Sequence, residues 1–169
     1  MNKIQLLPLR EAQTLAFKEE MQEAFQHGFM AYYKDDNQWQ VLPDKDFYQS
    51  LEAEGAEAYE AISEDGQRVG GAIITANGNM GELAFLYVKV GVQSKGIGQT
   101  IWKAIEAMHP EIEVWETCTP YFDRRNIHFY INRCGFHAVE FFNEHHPDPN
   151  MPEQFDQEDG LFKFEKRMK

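Results

Sequence analysis

The residues with the clearest chemical potential form a glycine turn, Gln93-x-x-Gly96-x-Gly98, which follows an apolar run and opens a helical pattern. Glycine lets a backbone turn tightly and approach a ligand closely. The first N–H groups of a helix have no partner within the helix, and the helix dipole adds positive potential there. Lys95 adds a full positive charge to the turn. The arrangement predicts a site for an anion, best suited to a phosphate or pyrophosphate.

Two other phosphate-binding patterns do not fit this turn. The dinucleotide fingerprint GxGxxG or GxGxxA requires a small third residue, and Ile101 stands in that place. The Walker pattern GxxxxGK followed by Ser or Thr does not occur in the sequence. What remains is a strand, a Q-x-x-G-x-G turn and a helix.

With its flanking segments, this unit resembles the GCN5-related N-acetyltransferase superfamily, and the resemblance covers most of the chain. It rests on Leu86-Tyr87-Val88, on the glycine turn and on a late helix that closes in Cys134-Gly135-Phe136. The resemblance implies that the turn binds the pyrophosphate of coenzyme A through backbone amides, while pantetheine pairs with the strand near Val88 and Val90. The cofactor-binding residues that it implies are Tyr87, Val88, Lys89, Val90, Gln93, Ser94, Lys95, Gly96, Ile97, Gly98, Gln99, Thr100 and Asn126.

The late helix matches the family pattern less regularly. The resemblance implies an Asn early in this helix, which Asn126 supplies, and a Tyr four residues before the Gly-Phe pair that contacts or protonates the thiolate. Here Tyr130 lies five residues before Gly135. One residue turns a side chain by about 100° on an α-helix. Tyr130 is therefore either the general acid or a core aromatic with a polar tip.

The general base is predicted from a second position. Glu82 lies at the start of the apolar strand, fourteen residues before Gly96, and the resemblance to histone-type members implies that a Glu at this spacing is the base. A carboxylate near an apolar site has a raised pKa and can accept a proton from an ammonium group. The alternative is an exposed Glu beside a turn. Glu116 and Thr117, on the next strand, are the other candidates for the base.

Three further features have weaker functional interpretations. His145-His146 lies in a proline-rich polar segment without fixed metal-ligand spacing, so we predict no metal site there. Cys118 has no nearby His in a defined motif and is interpreted as an incidental thiol. The segment Tyr32–Asp36 combines aromatic and acidic residues, which would suit a cationic acceptor but would equally suit a solvated loop.

Hydrophobic periodicity defines the elements that must position these residues. An Asp-Gly turn and an Asn-Gly turn predict hairpins, and apolar residues at helical spacing predict the crossovers. The predicted order is β-α-α-β-β-β-α-β-α-β-β, with strands at 3–9, 57–63, 68–75, 80–90, 112–117, 136–142 and 161–167 and helices at 11–27, 44–55, 97–108 and 123–134.

Length and composition limit the classes of protein that fit. A chain of 169 residues is the usual size of one domain. The net charge of −12 disfavours nucleic acid as a partner, because phosphate binding needs a basic face. No run approaches the roughly 18 apolar residues of a membrane span. Two cysteines in no recognisable pattern favour a reducing, cytoplasmic compartment.

Together with the element order, the resemblance implies a single N-acetyltransferase domain over residues 1–169, of α/β class, with a mixed, centrally splayed sheet and helices on both faces. The reaction that the resemblance implies is direct transfer of the acetyl group of acetyl-CoA to a primary amine of a small molecule or protein, without a metal. The resemblance also implies a homodimer. Two alternatives stay open: a non-catalytic regulator that binds coenzyme A, and a protein-interaction module with a vestigial cofactor turn.

Overall fold

A computed structural model describes residues 3–31, 40–92, 96–149 and 160–168, and within them seven strands form one sheet in the order β1-β2-β3-β4-β5-β7-β6. The strands are β1 (Ile4–Pro8), β2 (Ala56–Ser63), β3 (Arg68–Asn77), β4 (Met80–Val88), β5 (Val114–Pro120), β6 (His137–Phe142) and β7 (Leu161–Arg167). The helices are α1 (Thr14–Met30), α2 (Asp44–Leu51), α3 (Ile97–Met108) and α4 (Arg124–His128). A 3-10 turn (Glu11–Gln13) precedes α1, and a π-helical turn (Phe129–Arg133), called the π turn below, continues α4.

The sheet is mixed because one central pair of strands is parallel. β4 and β5 run parallel and are joined by three register pairs, Met80↔Val114, Gly81↔Trp115 and Glu82↔Glu116, whereas the other neighbouring strands are antiparallel. β4 continues to Val88 and β5 to Pro120, so the two strands separate after the third pair. The predicted mixed sheet with a central splay is confirmed.

A β-bulge lies where the two strands separate. Ile73 pairs with Phe85 and Ile74 with Leu83, which leaves Ala84 as an extra residue in β4. A bulge bends its strand and increases the local twist. Directly across the opening, the Thr117 hydroxyl donates a hydrogen bond of 2.9 Å to the Leu83 carbonyl. The bulge and this hydrogen bond mark the closed end of an opening between β4 and β5, which we call the gap.

Helices cover both faces of the sheet, each over its own apolar cluster. Phe17 and Met21 of α1 and Phe47 of α2 pack with Ile73 and Tyr87 on one face. On the other face, residues of α3, β5 and the end of the π turn form the larger cluster, which includes Ile101, Trp102, Ile105, Trp115, Tyr130 and Phe136. Successive side chains of a strand point to opposite faces, which is why the unbroken apolar run of β4 serves both clusters.

Several predicted element boundaries differ from those observed. α1 begins at Thr14 rather than at residue 11, because the 3-10 turn occupies the first predicted residues. It ends at Met30 rather than at residue 27. β4 ends at Val88 rather than Val90, since Val92 N–H bonds the Lys89 carbonyl and Gly91, at φ 90°, completes a turn. β5 covers Val114–Pro120 instead of 112–117. Among the described residues, no helix has the length and apolar character needed to cross a membrane.

Candidate functional site

The edge of β4 that faces the gap is formed by the main chain of Val88. The Lys89 N–H donates to the Val69 carbonyl of β3 at 2.8 Å, and Val88 is paired with Gly70. In an antiparallel ladder, hydrogen-bonded and non-hydrogen-bonded pairs alternate. The N–H and C=O groups of Val88 therefore point away from β3 and into the gap, where an extended ligand could pair with them.

Tyr87 and Lys89, the neighbours of Val88, are not brought to the gap. The Tyr87 side chain is buried beneath α1, and its hydroxyl donates a hydrogen bond of 2.9 Å to Glu20. The Lys89 ammonium lies 3.8 Å from the same carboxylate. Because alternate residues share a direction, both residues turn their main chains to β3 and their side chains to α1. Among the cofactor residues predicted on β4, Val88 directs its main chain into the gap, whereas Val90 lies in the turn that follows the strand.

The glycine turn enters α3 as the sequence predicts, but its two described glycines have different roles. Gly96 has φ 77°, a left-handed conformation that favours glycine, and a Cβ there would meet no atom of the described residues within 4 Å. At Gly98, a Cβ would lie 3.1 Å from the Phe129 ring. Only Gly98 is therefore tightly packed, whereas Gly96 is required by backbone geometry. Gln93, Ser94 and Lys95 lie outside the described residues.

The first turn of α3 offers main-chain donors rather than side chains. Thr100 N–H makes the first helical bond, to the Gly96 carbonyl, and the Thr100 hydroxyl donates to the same oxygen at 2.8 Å. The Gln99 side-chain amide donates to the Arg133 carbonyl at 2.8 Å, and Ile97 is buried. The N–H groups of residues 97–99 precede that first helical bond, which makes this end of α3 suitable for an anion.

Asp123, rather than Asn126, organises the start of α4. The Asp123 carboxylate accepts hydrogen bonds from the main-chain N–H of Asn126 at 3.1 Å and from its side-chain amide at 2.8 Å. Asp123 is thus the N-cap that satisfies an otherwise unpaired donor. The side-chain N–H of Asn126 that reaches Asp123 serves the fold, and its predicted contact with a cofactor stays a prediction.

The π turn accounts for the irregular spacing of Tyr130. Cys134 N–H bonds the Phe129 carbonyl, five residues back, so this turn holds one more residue than an α-helical turn. The extra residue absorbs the longer spacing from Tyr130 to Gly135, and the rotation of about 100° expected for a regular helix is therefore offset. Such turns occur frequently at functional sites.

Tyr130 is placed at the closed end of the gap. Its ring is buried against Phe136 and Phe164, and burial raises the pKa of its phenol well above the ordinary value. Its hydroxyl is hydrogen-bonded with Thr117. This contact partly offsets the rise in the pKa of the phenol. The chain Tyr130–Thr117–Leu83 thus connects the π turn to both strands that border the gap.

The face of the sheet opposite Tyr130 carries charged side chains where the strands part. Glu82 and Glu116 are register partners, and Lys163 of β7 lies 3.5 Å from Glu116. Although Glu82 still reaches solvent, desolvation first and then the charge of Glu116 raise the pKa of its carboxyl. Cys118 lies opposite Lys163, and desolvation followed by the charge of Glu82 raises the pKa of its thiol to about 12. We call these four residues the acidic face.

Other carboxylates add to this negative field. Asp148 acts electrostatically on both Glu82 and Cys118, and Glu140 acts on Lys163. Desolvation opposes the charge of Lys163, but Glu116 outweighs it and the pKa of the ammonium is raised. The acidic face is therefore suited to a cationic ligand, with one internal cation already neutralising Glu116.

Aromatic side chains stand beside the acidic face. Phe25 of α1 packs on Phe85 of β4, with ring centroids 5.6 Å apart, and Phe29 contacts Phe122 at 5.6 Å. Both contacts link the end of α1 with strands or loops that border the gap. Residues 32–36, which the sequence predicts to cover an acceptor, lie outside the described residues.

Comparison with known proteins decides the family. A family model described as the Acetyltransferase (GNAT) family matches residues 15–136. The chain belongs to the GNAT acetyltransferase family. It is also 41% identical to the uncharacterized protein YrkN of Bacillus subtilis (strain 168), over 95% of this chain and 91% of that protein.

Solved structures of GNAT type share the fold at low identity. One is a Bacillus subtilis acetyltransferase in complex with CoA, with TM-score 0.66 and 18% identity over the full length of both chains. Another is the spermidine N-acetyltransferase of Vibrio cholerae with CoA and spermine, with TM-score 0.68, 11% identity and coverage of 97% of this chain and 95% of that one. The ribosomal-protein-S18-alanine N-acetyltransferase of Escherichia coli has TM-score 0.69, 10% identity and coverage of 98% and 94%.

The described residues of this GNAT chain fit a coenzyme A ligand. The main chain of Val88 faces the gap, and the first N–H groups of α3 can reach phosphate oxygens. Among the described residues, no atom would contact a Cβ at Gly96, so a ligand can approach closely there. The gap also lies beside the acidic face, since it opens after the register pair Glu82↔Glu116.

The histidine pair His145-His146 contacts carboxylates of its own segment and of β6. His146 lies 2.7 Å from Glu140 and stacks on Phe142, while His145 is exposed. Within residues 3–31, 40–92, 96–149 and 160–168, no group of three or more His, Cys, Asp or Glu residues could hold a metal ion. Sequence reasoning missed Glu20, because its partners Arg68 and Tyr87 are 48 and 67 residues away along the chain.

Proposed function

We propose that the protein transfers the acetyl group of acetyl-CoA to a primary amine by direct attack in a ternary complex. The observation that carries the proposal is that β4 and β5 separate at the register pair Glu82↔Glu116. The main-chain edge suited to a cofactor and the carboxylates suited to an amine therefore start at the same point of the sheet.

On the donor side, we propose that the first turn of α3 and the turn before it hold the pyrophosphate through main-chain N–H groups. Gly96 and Gly98 allow this approach, and Val88 pairs with the pantetheine arm. Acetyl-CoA, when bound, supplies the thioester from which the acetyl group is transferred. The Val88 N–H is then a fixed donor for the thioester oxygen, where negative charge develops during attack.

On the acceptor side, Glu82 is the proposed general base. An aliphatic amine with a Lys-like pKa of about 10.4 is mostly protonated at neutral pH and must lose a proton before or during attack. In the part of the chain that the structure describes, Glu82 forms no ion pair, whereas Glu116 is paired with Lys163. A raised pKa brings the Glu82 carboxylate closer to the working pH, which favours its role as a base.

Tyr130 is the proposed general acid. Its hydroxyl lies at Thr117, at the closed end of the gap, and the π turn keeps it there in spite of the longer spacing to Gly135. A phenol, whose ordinary pKa is about 10, is protonated at neutral pH, so that a proton is available for the leaving thiolate. To act, the Tyr130 hydroxyl must direct its proton toward the thiolate in the gap.

The acceptor class follows from the charges on the acidic face. An ammonium group would be attracted by the carboxylates of Glu82, Glu140 and Asp148, whereas Glu116 is already paired with Lys163. The neighbouring Phe25 and Phe85 rings can accommodate the alkyl chain of the amine. We therefore propose that the acceptor is a primary amine that is a cation in solution, whether carried by a small molecule or by a protein side chain or terminus.

The test is an acceptor screen in which release of free CoA thiol is detected with a panel of cationic, neutral and acidic amines. We expect thiol release with cationic amines and a CoA affinity that is measurable by calorimetry. Binding of CoA without turnover of any amine would support a non-catalytic regulator instead. Failure to bind CoA would overturn the proposal and leave an interaction module on this fold.

A further inference from the structure

The Glu20 carboxylate joins three elements at the end of β4. It accepts two hydrogen bonds of 2.9 Å from the Arg68 guanidinium of β3 and one of 2.9 Å from the Tyr87 hydroxyl. The Lys89 ammonium lies 3.8 Å away. Although desolvation acts against the charge, the hydrogen bonds from Arg68 and Tyr87 lower the pKa of Glu20. Glu20 is therefore ionised and fully engaged at neutral pH.

Two of the residues that contact Glu20, Tyr87 in β4 and Lys89 directly after it, lie on either side of Val88. Their side chains project to α1, while the main chain of Val88 projects into the gap. The Glu20 carboxylate of α1 therefore contacts the residue immediately before Val88 and the residue immediately after it. This half of β4 has no β5 neighbour, because the parallel register ends at Glu82↔Glu116.

Few side chains of β3 support this half of β4. Opposite Tyr87 and Val88, β3 places Gly71 and Gly70. The Phe17 ring of α1 fills the space above Gly71, where a Cβ would come within 2.4 Å of it, and packs edge-on against the Tyr87 ring at 5.5 Å. The orientation of β4 here depends on its hydrogen bonds to β3 and on α1.

A buried ion network holds Arg68, the main partner of Glu20, in place. The Arg68 side chain is 8% exposed and also donates a hydrogen bond of 2.7 Å to Glu60. The Glu60 side chain is fully buried and accepts two further hydrogen bonds from the Arg10 side chain. Paired and hydrogen-bonded charges of this kind hold a single geometry, since losing one partner leaves a buried charge uncompensated. Arg10 belongs to the same network but lies on its far side from β4.

We propose that Glu20 and Tyr87 are positioning residues that fix the direction in which the Val88 N–H points into the gap. This inference rests on the proposed function, in which that N–H polarises the thioester oxygen. A donor of this kind is effective only when it is held in place before the reaction, and a small change of angle or distance is costly. Tyr87→Phe should therefore affect the reaction although the phenol never touches a substrate.

The experiment compares Tyr87→Phe and Glu20→Gln with Arg10→Gln as the control. Tyr87→Phe keeps the ring and removes one hydrogen bond, and Arg10→Gln weakens the same network away from β4. We expect kcat to fall about tenfold in Tyr87→Phe and Glu20→Gln with the KM for acetyl-CoA unchanged, while Arg10→Gln loses thermal stability but keeps kcat.

A spectroscopic readout separates positioning from loss of stability. The infrared carbonyl stretch of bound acetyl-CoA labelled with carbon-13 at the acetyl carbonyl reports polarisation by a hydrogen-bond donor. We expect the stretch to be displaced from that of free acetyl-CoA in the parent protein and in Arg10→Gln, and to return toward the free value in Tyr87→Phe and Glu20→Gln.

The outcomes distinguish the two proposals. No displacement in the parent protein would overturn the role of Val88 in the proposed function. A displacement that survives unchanged in both Tyr87→Phe and Glu20→Gln would overturn the positioning inference alone. Equal losses of kcat in Tyr87→Phe and Arg10→Gln would also overturn it, because the effect would then follow stability rather than the geometry of β4.

Discussion

Glu82 occupies the last residue pair before the sheet opens, and its chemistry can be tested with one substitution. Glu82→Gln keeps the size and hydrogen-bonding capacity of the side chain but removes the basic oxygen. We expect kcat at pH 7 to fall by about 10²-fold while the affinity for acetyl-CoA changes little. Steady-state kinetics with an amine identified in the acceptor screen would measure both quantities.

The pH dependence gives a second check on Glu82. Its pKa is raised, and only the ionised form accepts a proton, so the rate of the parent protein should fall as the pH drops through that raised pKa. In Glu82→Gln the limb that belongs to this carboxyl should disappear, and the rate should instead rise with pH as more of the amine becomes neutral. If Glu116→Gln removes the acid limb and Glu82→Gln does not, Glu116 is the base.

Tyr130 has a role that is separable from its packing. Tyr130→Phe keeps the ring between Phe136 and Phe164 and removes only the hydroxyl that bonds Thr117. If Tyr130 is the acid, we expect kcat to fall by about 10²-fold or more at nearly constant thermal stability. Thr117→Val serves as the control for loss of the hydroxyl chain alone. Unchanged kinetics in Tyr130→Phe would leave the residue as a core aromatic.

At the scale of elements, the first turn of α3 depends on its contact with the π turn. Gly98→Val would drive side-chain atoms into the Phe129 ring, which lies 3.1 Å from the position of an added Cβ. We expect this variant to lose CoA binding, measured by calorimetry, because the main-chain donors of the turn must shift. Gly28→Val is the matched control, since a Cβ at this residue of α1 meets no atom within 4 Å in the part of the chain that the structure describes. Retention of parental CoA affinity in Gly98→Val would show that the turn does not hold the cofactor.

The elements that could be predicted from sequence are those defined by local patterns. The apolar run from Leu83 to Val88 and the Asp-Gly turn at 65–66 identified a central strand and a hairpin, since burial and turn geometry depend on neighbours in the chain. The glycine turn likewise indicated the start of α3. The π turn was beyond prediction from periodicity, because an inserted residue changes the helical spacing only locally.

The site was less accessible than the fold because its partners are distant in sequence. The chemistry of Glu82 could be suspected from its place before a strand, but its pairing with Glu116 depends on the register of β4 with β5. Tyr87 was interpreted as a cofactor residue, whereas the register with β3 turns it toward Glu20 on α1. Neither register is encoded in a local pattern.

At the scale of the whole molecule, the ion network around Glu60 makes stability depend on pH. Hydrogen bonds from Arg10 and then Arg68 outweigh desolvation and lower the pKa of Glu60 to about 2. A lowered pKa stabilises the fold above the unfolded-state value of about 4.3, and this stabilisation is lost as the pH falls toward 2. We expect Glu60→Gln to reduce the free energy of unfolding by about 3 kcal/mol at pH 7.

Denaturant titrations at pH 7 and at pH 2.5 would measure this contribution. The difference in the free energy of unfolding between Glu60→Gln and the parent protein should be smaller at the lower pH, because the stabilisation by the ionised Glu60 carboxylate is then being lost. Glu64→Gln, in the exposed turn after β2, should cost little at either pH. A difference of equal size at both pH values would show that Glu60 contributes through packing rather than charge.

The single parallel join between β4 and β5 also has a consequence for exchange between related sequences. Among the described strands, β1 to β4 lie on one side of the gap and β5 to β7 on the other, and the chain passes between them once, at residues 109–113. The Val88 edge and α3 precede this crossing, whereas Glu116, Cys118 and Lys163 follow it. A recombination joint at 109–113 would therefore transplant Glu116, Cys118 and Lys163 as one contiguous block, together with the π turn against which Gly98 of α3 packs.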